Sequence, residues 1–258
     1  AFCWTFAMVL GFAAIEALRL DSTAESSTAE RSFSGQKGRL DQILVKPLLF
    51  NHMPKAGGTL VKNVLRKQRL HYLLESEDNS LKRSDLDEYF IIGQARAPCN
   101  YYLSLWGFGS MGKGGYHAKH PEVRQFYGVT PPYTSNSDLN KFSQWLNKTR
   151  GELTARFHKS YGINGGRAKR ENVDCWVHTE RMIKDLNMCL QLYQSQSGQP
   201  ILIDWDRFFN EVYSATDEDK NRSEHGSCEQ SFNDERTAII MEADAEYMDI
   251  MGYEKCCA

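Results

Sequence analysis

The sequence predicts an α/β fold with a central, mostly parallel sheet flanked by helices. From Leu40 onward, short apolar runs alternate with helical patterns, which is typical of strand–helix–strand units. The chain has 258 residues, of which 41% are apolar and 25% charged, close to soluble globular proteins. This composition excludes disordered, collagenous and polytopic membrane proteins. The net charge of -2 argues against a nucleic-acid partner, because nucleic-acid binders usually carry a basic excess.

Two apolar-rich runs in the first half of this region predict buried strands, and each is followed by a helix. The strands are Leu48–Met53 and Tyr89–Ala95, and the helices are Thr59–Leu74 and Asn100–Phe108. Residues 111–137 are rich in Gly, Pro, Tyr and His without a period. They predict a long loop, and long loops inside compact domains tend to be functional.

The second half predicts further alternation of strands and helices. Asp138 is expected to cap a helix that runs to about Lys148, and Thr179 to cap one that ends before Gly198. The remaining expected elements are a strand at Val173–His178, a short strand at Ile201–Asp204, a short helix at Trp205–Tyr213, and a last helix from Ser231 to about Met251.

Residues 1–20 stand apart from this pattern. The first fifteen carry no charge, which is short of the roughly 20 apolar residues that a membrane-spanning helix needs. The chain begins with Ala1, which favours a truncated apolar run. Three interpretations stay open, namely a signal anchor, a cleaved signal peptide and a buried amphipathic helix.

Residues 21–39 predict a flexible stem, because seven of these nineteen residues are Ser or Thr and only Phe33 is large and apolar. The folded domain is therefore expected at residues 40–258. Sequons at Asn147 and Asn221 favour a secretory-pathway lumen. Six cysteines follow the stem, and they allow up to three disulfides in fifteen connectivities. Because no Cys or His cluster has zinc spacing, we expect no metal.

The segment from Leu48 to Leu65 carries the clearest chemistry. A strand leads into Pro-Lys-Ala-Gly-Gly-Thr at residues 54–59, and a helix follows at once. Two glycines let the backbone approach a ligand closely, and the helix N-terminus favours an anion. Lys55 adds a positive charge and Thr59 a hydroxyl donor. The segment predicts a phosphate or sulfate cradle, and it is not a Walker A loop because Lys55 precedes the glycines.

The HMPKAGGT run at residues 52–59 resembles the loop that binds the 5′-phosphosulfate in sulfotransferases dependent on 3′-phosphoadenylyl sulfate (PAPS), especially the Golgi carbohydrate enzymes of the heparan-sulfate type. The resemblance implies a P-loop-like three-layer fold. It also implies a single-pass type II Golgi protein with a lumenal catalytic domain, anchored in the membrane through its N-terminal segment. The cofactor-binding residues that it implies here are Lys55, Ala56, Gly57, Gly58, Thr59 and Leu60.

A second motif of the same family follows the strand at residues 89–95. Arg96, Pro98, Tyr102 and Ser104 match the family's R-x-P-x-x-x-Y-x-S pattern, although Ala97 stands where the family commonly has Asp. The resemblance implies that Arg96 and Ser104 bind the 3′-phosphate of PAPS. An arginine at the carboxyl end of a strand can grip a phosphate with two hydrogen bonds.

The general base and the acceptor are less well specified. Lys55 is expected to stabilise the charge of the leaving group, and a base must take the proton of the acceptor hydroxyl. The resemblance places this base between the two motifs, where His71 is the first candidate and Glu77 the second; His117 and His120 in the long loop are further candidates, and His52 is expected to be structural.

The resemblance implies a carbohydrate acceptor. Two basic stretches, residues 62–69 and 167–170, could hold an anionic glycan. Aromatic side chains could stack on its sugars, namely Tyr101, Trp106, Tyr116, Tyr127 and Tyr133. Two other functions stay open, a P-loop nucleotide kinase or phosphotransferase and a non-catalytic lumenal nucleotide-binding module. The acceptor's identity and the oligomeric state are not specified by the sequence.

Overall fold

The computed structural model of the protein describes residues 46–67, 72–74, 79–110, 112, 135–197, 204, 206, 207, 210 and 225–258. The chain divides into two units, Ala1–Gln42 and Ile43–Ala258, and every described residue belongs to the second unit.

Four parallel strands form a sheet in the order β2–β1–β3–β4. The strands are β1 (Leu48–Phe50), β2 (Tyr72–Leu74), β3 (Phe90–Ala95) and β4 (Cys175–His178). In the register of the sheet, Leu49 lies beside Ile91, and Ile92 lies beside Cys175. The prediction of a parallel α/β sheet is confirmed, and so are the strands predicted around β1, β3 and β4.

Helices connect and flank these strands. In the described part of the chain they are α1 (Gly58–Lys67), α2 (Arg83–Glu88), α3 (Pro98–Ser110), α4 (Asn136–Thr149), α5 (Glu152–Tyr161), α6 (Met182–Ser197), α7 (Cys228–Ser231), α8 (Asp234–Ala243) and α9 (Ala245–Met251). Two 3₁₀ turns, Arg170–Asn172 and Thr179–Arg181, precede β4 and α6.

The two faces of the sheet pack against different helices. On one face, Leu48 and Phe50 pack with residues of α1 and α6. On the other, Leu49 packs with residues of α3, α4, α5, α8 and α9. Neighbouring residues of a strand point to opposite faces of the sheet. Because helices cover both faces, all three residues of β1 are fully buried. Strands covered on both sides read as continuous apolar runs, which is why β1 and β3 were predictable.

The helices that follow β1 and β3 diverge at one edge of the sheet. The helix that follows β1 covers one face, whereas the helix that follows β3 covers the opposite face. The two strands are neighbours in the sheet. Ligands in open α/β sheets bind outside the carboxyl ends of strands, where successive connections diverge in this way. The loop after β1 and the turn after β3 both lie at this point.

Several predicted helix boundaries are wrong. The helix expected at residues 59–74 ends at Lys67, and Tyr72–Leu74 forms β2 instead. A short apolar run cannot be assigned from its period alone, and here pairing with β1 decides. The cap of α4 is Ser135, whose Oγ accepts a hydrogen bond from the Asp138 N–H at 3.1 Å. Asp138 lies in the first turn, where its charge favours the helix dipole.

The last predicted helix, Ser231 to Met251, is divided into α7, α8 and α9. Asn233 starts α8 by accepting a hydrogen bond from the Arg236 N–H at 3.0 Å, and Asp244 lies between α8 and α9. Thr179 begins a 3₁₀ turn rather than capping α6. Neither α2 nor α5 was predicted from the sequence. Most residues of the elements expected at 201–213 lie outside the described residues.

Three disulfides join all six cysteines beyond the stem, so the expected maximum of three is confirmed. The pairs are Cys99–Cys256, Cys175–Cys189 and Cys228–Cys257. The sulfurs of Cys99, Cys228 and Cys257 lie within 4.8 Å of one another, but each is bonded in a disulfide and cannot serve as a thiolate metal ligand.

The described helices include none long and apolar enough to cross a bilayer. Residues 1–20, to which the membrane prediction refers, lie outside the described residues, as do the stem and the Asn221 sequon. The side chain of Asn147 in the other sequon is exposed on α4.

Candidate functional site

The loop between β1 and α1 has an unusual backbone. Lys55 has a φ of 63° and Gly57 a φ of 85°. Glycine adopts this left-handed conformation freely, but a lysine there is strained, and such residues cluster at functional sites. The Leu60 N–H donates to the Gly57 carbonyl at 3.1 Å, which starts α1 directly after the loop. The N–H groups of the first helical turn therefore open toward the loop.

Gly58 is required by the packing of His52. A Cβ built on Gly58 would lie 1.9 Å from two atoms of the His52 ring. The His52 side chain is buried, and its ring stacks near Phe50 with centroids 6.1 Å apart. The ring therefore packs against the start of α1. This packing agrees with the structural role that was expected for His52.

Arg96 lies at the carboxyl end of β3, beside the loop. Its Nη1 donates to the Lys55 carbonyl at 2.8 Å. Its Nε is buried and has no hydrogen-bond partner among the described residues. Burial lowers the pKa of Arg96, and the nearby Glu180 carboxylate opposes this shift. An anion beside the guanidinium would offset its desolvation.

Ser104 lies one helical turn before Phe108 on α3, so the two share a helix face. The Lys55 Nζ lies 3.9 Å from the centroid of the Phe108 ring, in a cation–π contact. This contact directs the face of α3 that carries Ser104 toward the Lys55 loop. The side chain of Ser104 is 3% exposed.

Two side chains fasten the loop to the sheet. Gln94 Nε2 donates to the Ala56 carbonyl at 2.9 Å. The Thr179 hydroxyl lies 2.9 Å from the same carbonyl and 3.1 Å from that of Ala95, and so links the loop to β3. Gln94 was not predicted as a site residue, and Thr179 was predicted only as a helix cap. No local signal marks either residue, because their partners are distant in sequence.

Residues distant in the sequence also hold the turn after β3, and none of them was predicted as a site residue. Glu180 Oε1 accepts a hydrogen bond from the Ala97 N–H at 2.6 Å. The Tyr247 hydroxyl contacts the backbone of Arg96, and the Tyr253 hydroxyl donates to Glu180 Oε2 at 3.2 Å. The sequence showed these residues only as a helix and its end.

His178 ends β4 and forms a buried pair with Asp185 at the start of α6. Its Nδ1 lies 2.7 Å from Asp185 Oδ2, and its backbone N–H donates to the same oxygen at 3.0 Å. These contacts join the end of β4 to the first turn of α6, and no sequence signal singled them out.

The residues that were predicted to bind phosphate lie together at one edge of the sheet. The residues that were predicted as general bases lie outside the described residues. The ligands lie in the loop, at the start of α1, at the end of β3 and on α3; they are Lys55, Ala56, Gly57, Gly58, Thr59, Leu60, Arg96 and Ser104. The candidate bases lie outside the described residues, namely His71, Glu77, His117 and His120.

The expected acceptor contacts are only partly described. Tyr101 and Trp106 are fully buried in the core, so the expectation that they stack on sugars is wrong. Tyr116, Tyr127 and Tyr133 lie outside the described residues. In the second basic stretch, Arg167 Nε lies 3.7 Å from Glu246 Oε1, and Lys169 Nζ lies 3.9 Å from Glu171 Oε1. Such exposed pairs are weak and would yield to an anionic ligand.

No protein-family model, curated protein or solved structure matches this chain. The family resemblance therefore rests on residues 52–59 and 96–104.

Proposed function

We propose that the chain is a PAPS-dependent sulfotransferase, which transfers a sulfuryl group from PAPS to a hydroxyl of a carbohydrate acceptor. The products are 3′,5′-ADP and a sulfated glycan. The observation that carries this proposal is the hydrogen bond of 2.8 Å between Arg96 Nη1 and the Lys55 carbonyl. It joins two motifs, separated by 41 residues in the sequence, into one positively charged site.

We assign the two phosphate groups of PAPS to different parts of this site. The loop backbone, the start of α1 and Thr59 would hold the 5′-phosphosulfate, since N–H groups at a helix N-terminus bind anions. The guanidinium of Arg96 and the hydroxyl of Ser104 would hold the 3′-phosphate. The packing of helices on both faces of the sheet, with the helices after β1 and β3 on opposite faces, supports the finer assignment of a P-loop-like three-layer fold.

The reaction needs positioning and charge stabilisation. The acceptor oxygen attacks sulfur, the bond between sulfur and the bridging oxygen breaks, and its electron pair stays on the 5′-phosphate of 3′,5′-ADP. Lys55 would stabilise this developing charge, because a positioned cation contributes most where charge forms in the transition state. Its Nζ would leave the Phe108 ring to do so. A base takes the proton of the acceptor hydroxyl, and His71 and Glu77 remain the candidates.

The disulfides support a location in the secretory pathway. Structural disulfides persist in oxidising compartments and are rare in the cytosol. Three of them tie the domain together, and the exposed Asn147 offers a glycosylation acceptor. We propose a Golgi or other secretory-pathway membrane protein, with residues 1–20 as its anchor and residues 40–258 in the lumen.

Calorimetric titration with 3′,5′-ADP, 5′-AMP and ATP tests the proposed cofactor. We expect 3′,5′-ADP to bind roughly 10- to 100-fold more tightly than 5′-AMP, because hydrogen bonds to a charged group contribute about 1.5–3 kcal/mol. Arg96→Ala should abolish this difference, whereas Arg83→Ala, which removes an exposed arginine on α2, should preserve it. Equal affinities in the wild type would refute the proposal, and magnesium-dependent binding of ATP alone would favour a kinase.

A further inference from the structure

The turn that carries Arg96 is held by a segment about 150 residues away in the sequence. The Arg96 N–H donates to the Tyr247 hydroxyl at 3.0 Å, and that hydroxyl donates to the Arg96 carbonyl at 2.8 Å. The Cys99 N–H donates to the Cys256 carbonyl at 2.9 Å, and a disulfide joins the same two residues. The C-terminal segment Tyr247–Cys256 thus satisfies the backbone groups on both sides of the turn.

Glu180 closes this arrangement from the other side. Its Oε1 accepts from the Ala97 N–H at 2.6 Å, and its Oε2 accepts from the Tyr253 hydroxyl at 3.2 Å. The Tyr253 ring stacks on that of Tyr247, with centroids 5.9 Å apart. Burial raises the pKa of both phenols, so they stay neutral and keep their protons as hydrogen-bond donors at neutral pH.

These contacts set the backbone from which the Arg96 side chain projects. Among the described residues, the guanidinium donates a hydrogen bond from Nη1 to the Lys55 carbonyl, and its Nε has no hydrogen-bond partner. The direction of the side chain therefore depends on the position of its own backbone. A shift of about 1 Å in a charged ligand group is enough to cost a large part of a binding or catalytic effect.

We propose that Glu180, Tyr247 and Tyr253 are positioning residues for Arg96, which makes the C-terminal segment a part of the site that recognises a 3′-phosphate. This inference rests on the proposed function. Glu180 acts through the Ala97 N–H, and Tyr253 acts by holding Glu180. The carboxylate is also the negative charge that acts most strongly on Arg96, so its charge alone would weaken anion binding. If Glu180 acts by positioning Arg96, its removal should weaken binding of the 3′-phosphate. If it acts only through its charge, its removal should strengthen that binding.

Two substitutions of Glu180 separate these effects. Glu180→Gln keeps an oxygen for the Ala97 N–H and an amide that can donate to the Tyr253 hydroxyl, but it removes the charge. Glu180→Ala removes both hydrogen bonds and the charge. Tyr253→Phe removes only the hydroxyl that holds Glu180, and Tyr193→Phe is the matched control, since it removes a hydroxyl from a buried tyrosine of α6 that packs on the opposite face of the sheet.

The experiment measures the dissociation constants of 3′,5′-ADP and 5′-AMP for each variant by calorimetry, together with the melting temperature. The dissociation constant of 5′-AMP divided by that of 3′,5′-ADP is the ratio that reports recognition of the 3′-phosphate. The affinity for 5′-AMP alone reports binding by the Lys55 loop. We expect Glu180→Ala to lower the ratio by about tenfold and Tyr253→Phe by about threefold, with 5′-AMP binding within about twofold of the wild type. Glu180→Gln and Tyr193→Phe should keep the wild-type ratio or, for Glu180→Gln, raise it.

The outcomes distinguish the inference from the function on which it rests. If the wild type does not discriminate between the two nucleotides, the proposed function fails. If it discriminates but Glu180→Ala keeps or raises the ratio, Glu180 acts only through its charge and the inference is wrong. A parallel loss of affinity for both nucleotides, with a lower melting temperature, would show a purely structural role and would also overturn the inference.

Discussion

Because Gly58 packs closely on His52, we predict that Gly58→Ala destabilises the protein when the His52 ring is present and does not when the ring is removed. Alanine is favoured over glycine in a helix by up to about 1 kcal/mol, so Gly58→Ala would ordinarily stabilise α1. Here the added Cβ would lie 1.9 Å from the His52 ring, which is buried. Overpacking of this kind costs about 1–3 kcal/mol. We expect Gly58→Ala to lower the free energy of unfolding by about that amount.

Replacement of the ring should remove the penalty. In a His52→Ala background the Cβ at residue 58 would occupy the space that the ring leaves. Gly58→Ala should then be neutral or stabilising, which gives a coupling energy of about 1–3 kcal/mol between the two positions. Urea unfolding of the wild type, both single variants and the double variant measures this coupling. Additive effects, or a stabilising Gly58→Ala in the wild-type background, would refute the packing that we describe at the start of α1.

Three further predictions concern the contacts around the site. Thr179→Val removes the hydroxyl that lies beside the Ala56 carbonyl. We therefore expect the free energy of unfolding in urea to fall by about 1 kcal/mol and 5′-AMP to bind more weakly, whereas Thr179→Ser should keep the wild-type stability and affinity. Burial raises the pKa of Asp244, so its contribution to stability is full below its ordinary pKa of about 4 and is lost as the pH rises through its native pKa. Asp244→Asn should therefore flatten the stability profile above about pH 4, and an unchanged slope would contradict this assignment. Replacing both Cys175 and Cys189 by Ser opens a loop of 14 residues and should cost about 3 kcal/mol of stability while preserving discrimination between 3′,5′-ADP and 5′-AMP.

The sequence was informative where function and structure are both local. The loop at residues 54–59 follows an apolar strand and contains a glycine where its backbone adopts a positive φ, so the turn between β1 and α1 could be predicted from adjacent residues. The motif around Arg96 was recognisable for the same reason, since β3 and α3 have clear patterns. The packing of both faces of the sheet follows from the continuous apolar character of β1 and β3.

The remaining contacts of the site could not be predicted, because they join residues that are distant in the chain. Glu180 contacts Ala97 across 83 residues, and Tyr247 contacts Arg96 across 151. The division between α8 and α9 was missed because an apolar period does not show that Asp244 is held by Tyr102 and Thr154. The pairing of the cysteines was one of fifteen possibilities, and only the fold selects among them.

Transfer of a radiolabelled sulfuryl group from PAPS to glycosaminoglycan acceptors tests the central claim most directly. The wild type should label at least one acceptor of a panel of native and desulfated chains. Lys55→Ala should lose this transfer by about 100-fold or more while it still binds 3′,5′-ADP through Arg96, since removal of a group that stabilises transition-state charge costs about 10²–10³ in rate. Tight binding of 3′,5′-ADP without transfer to any acceptor, or equal transfer by the wild type and Lys55→Ala, would contradict the account.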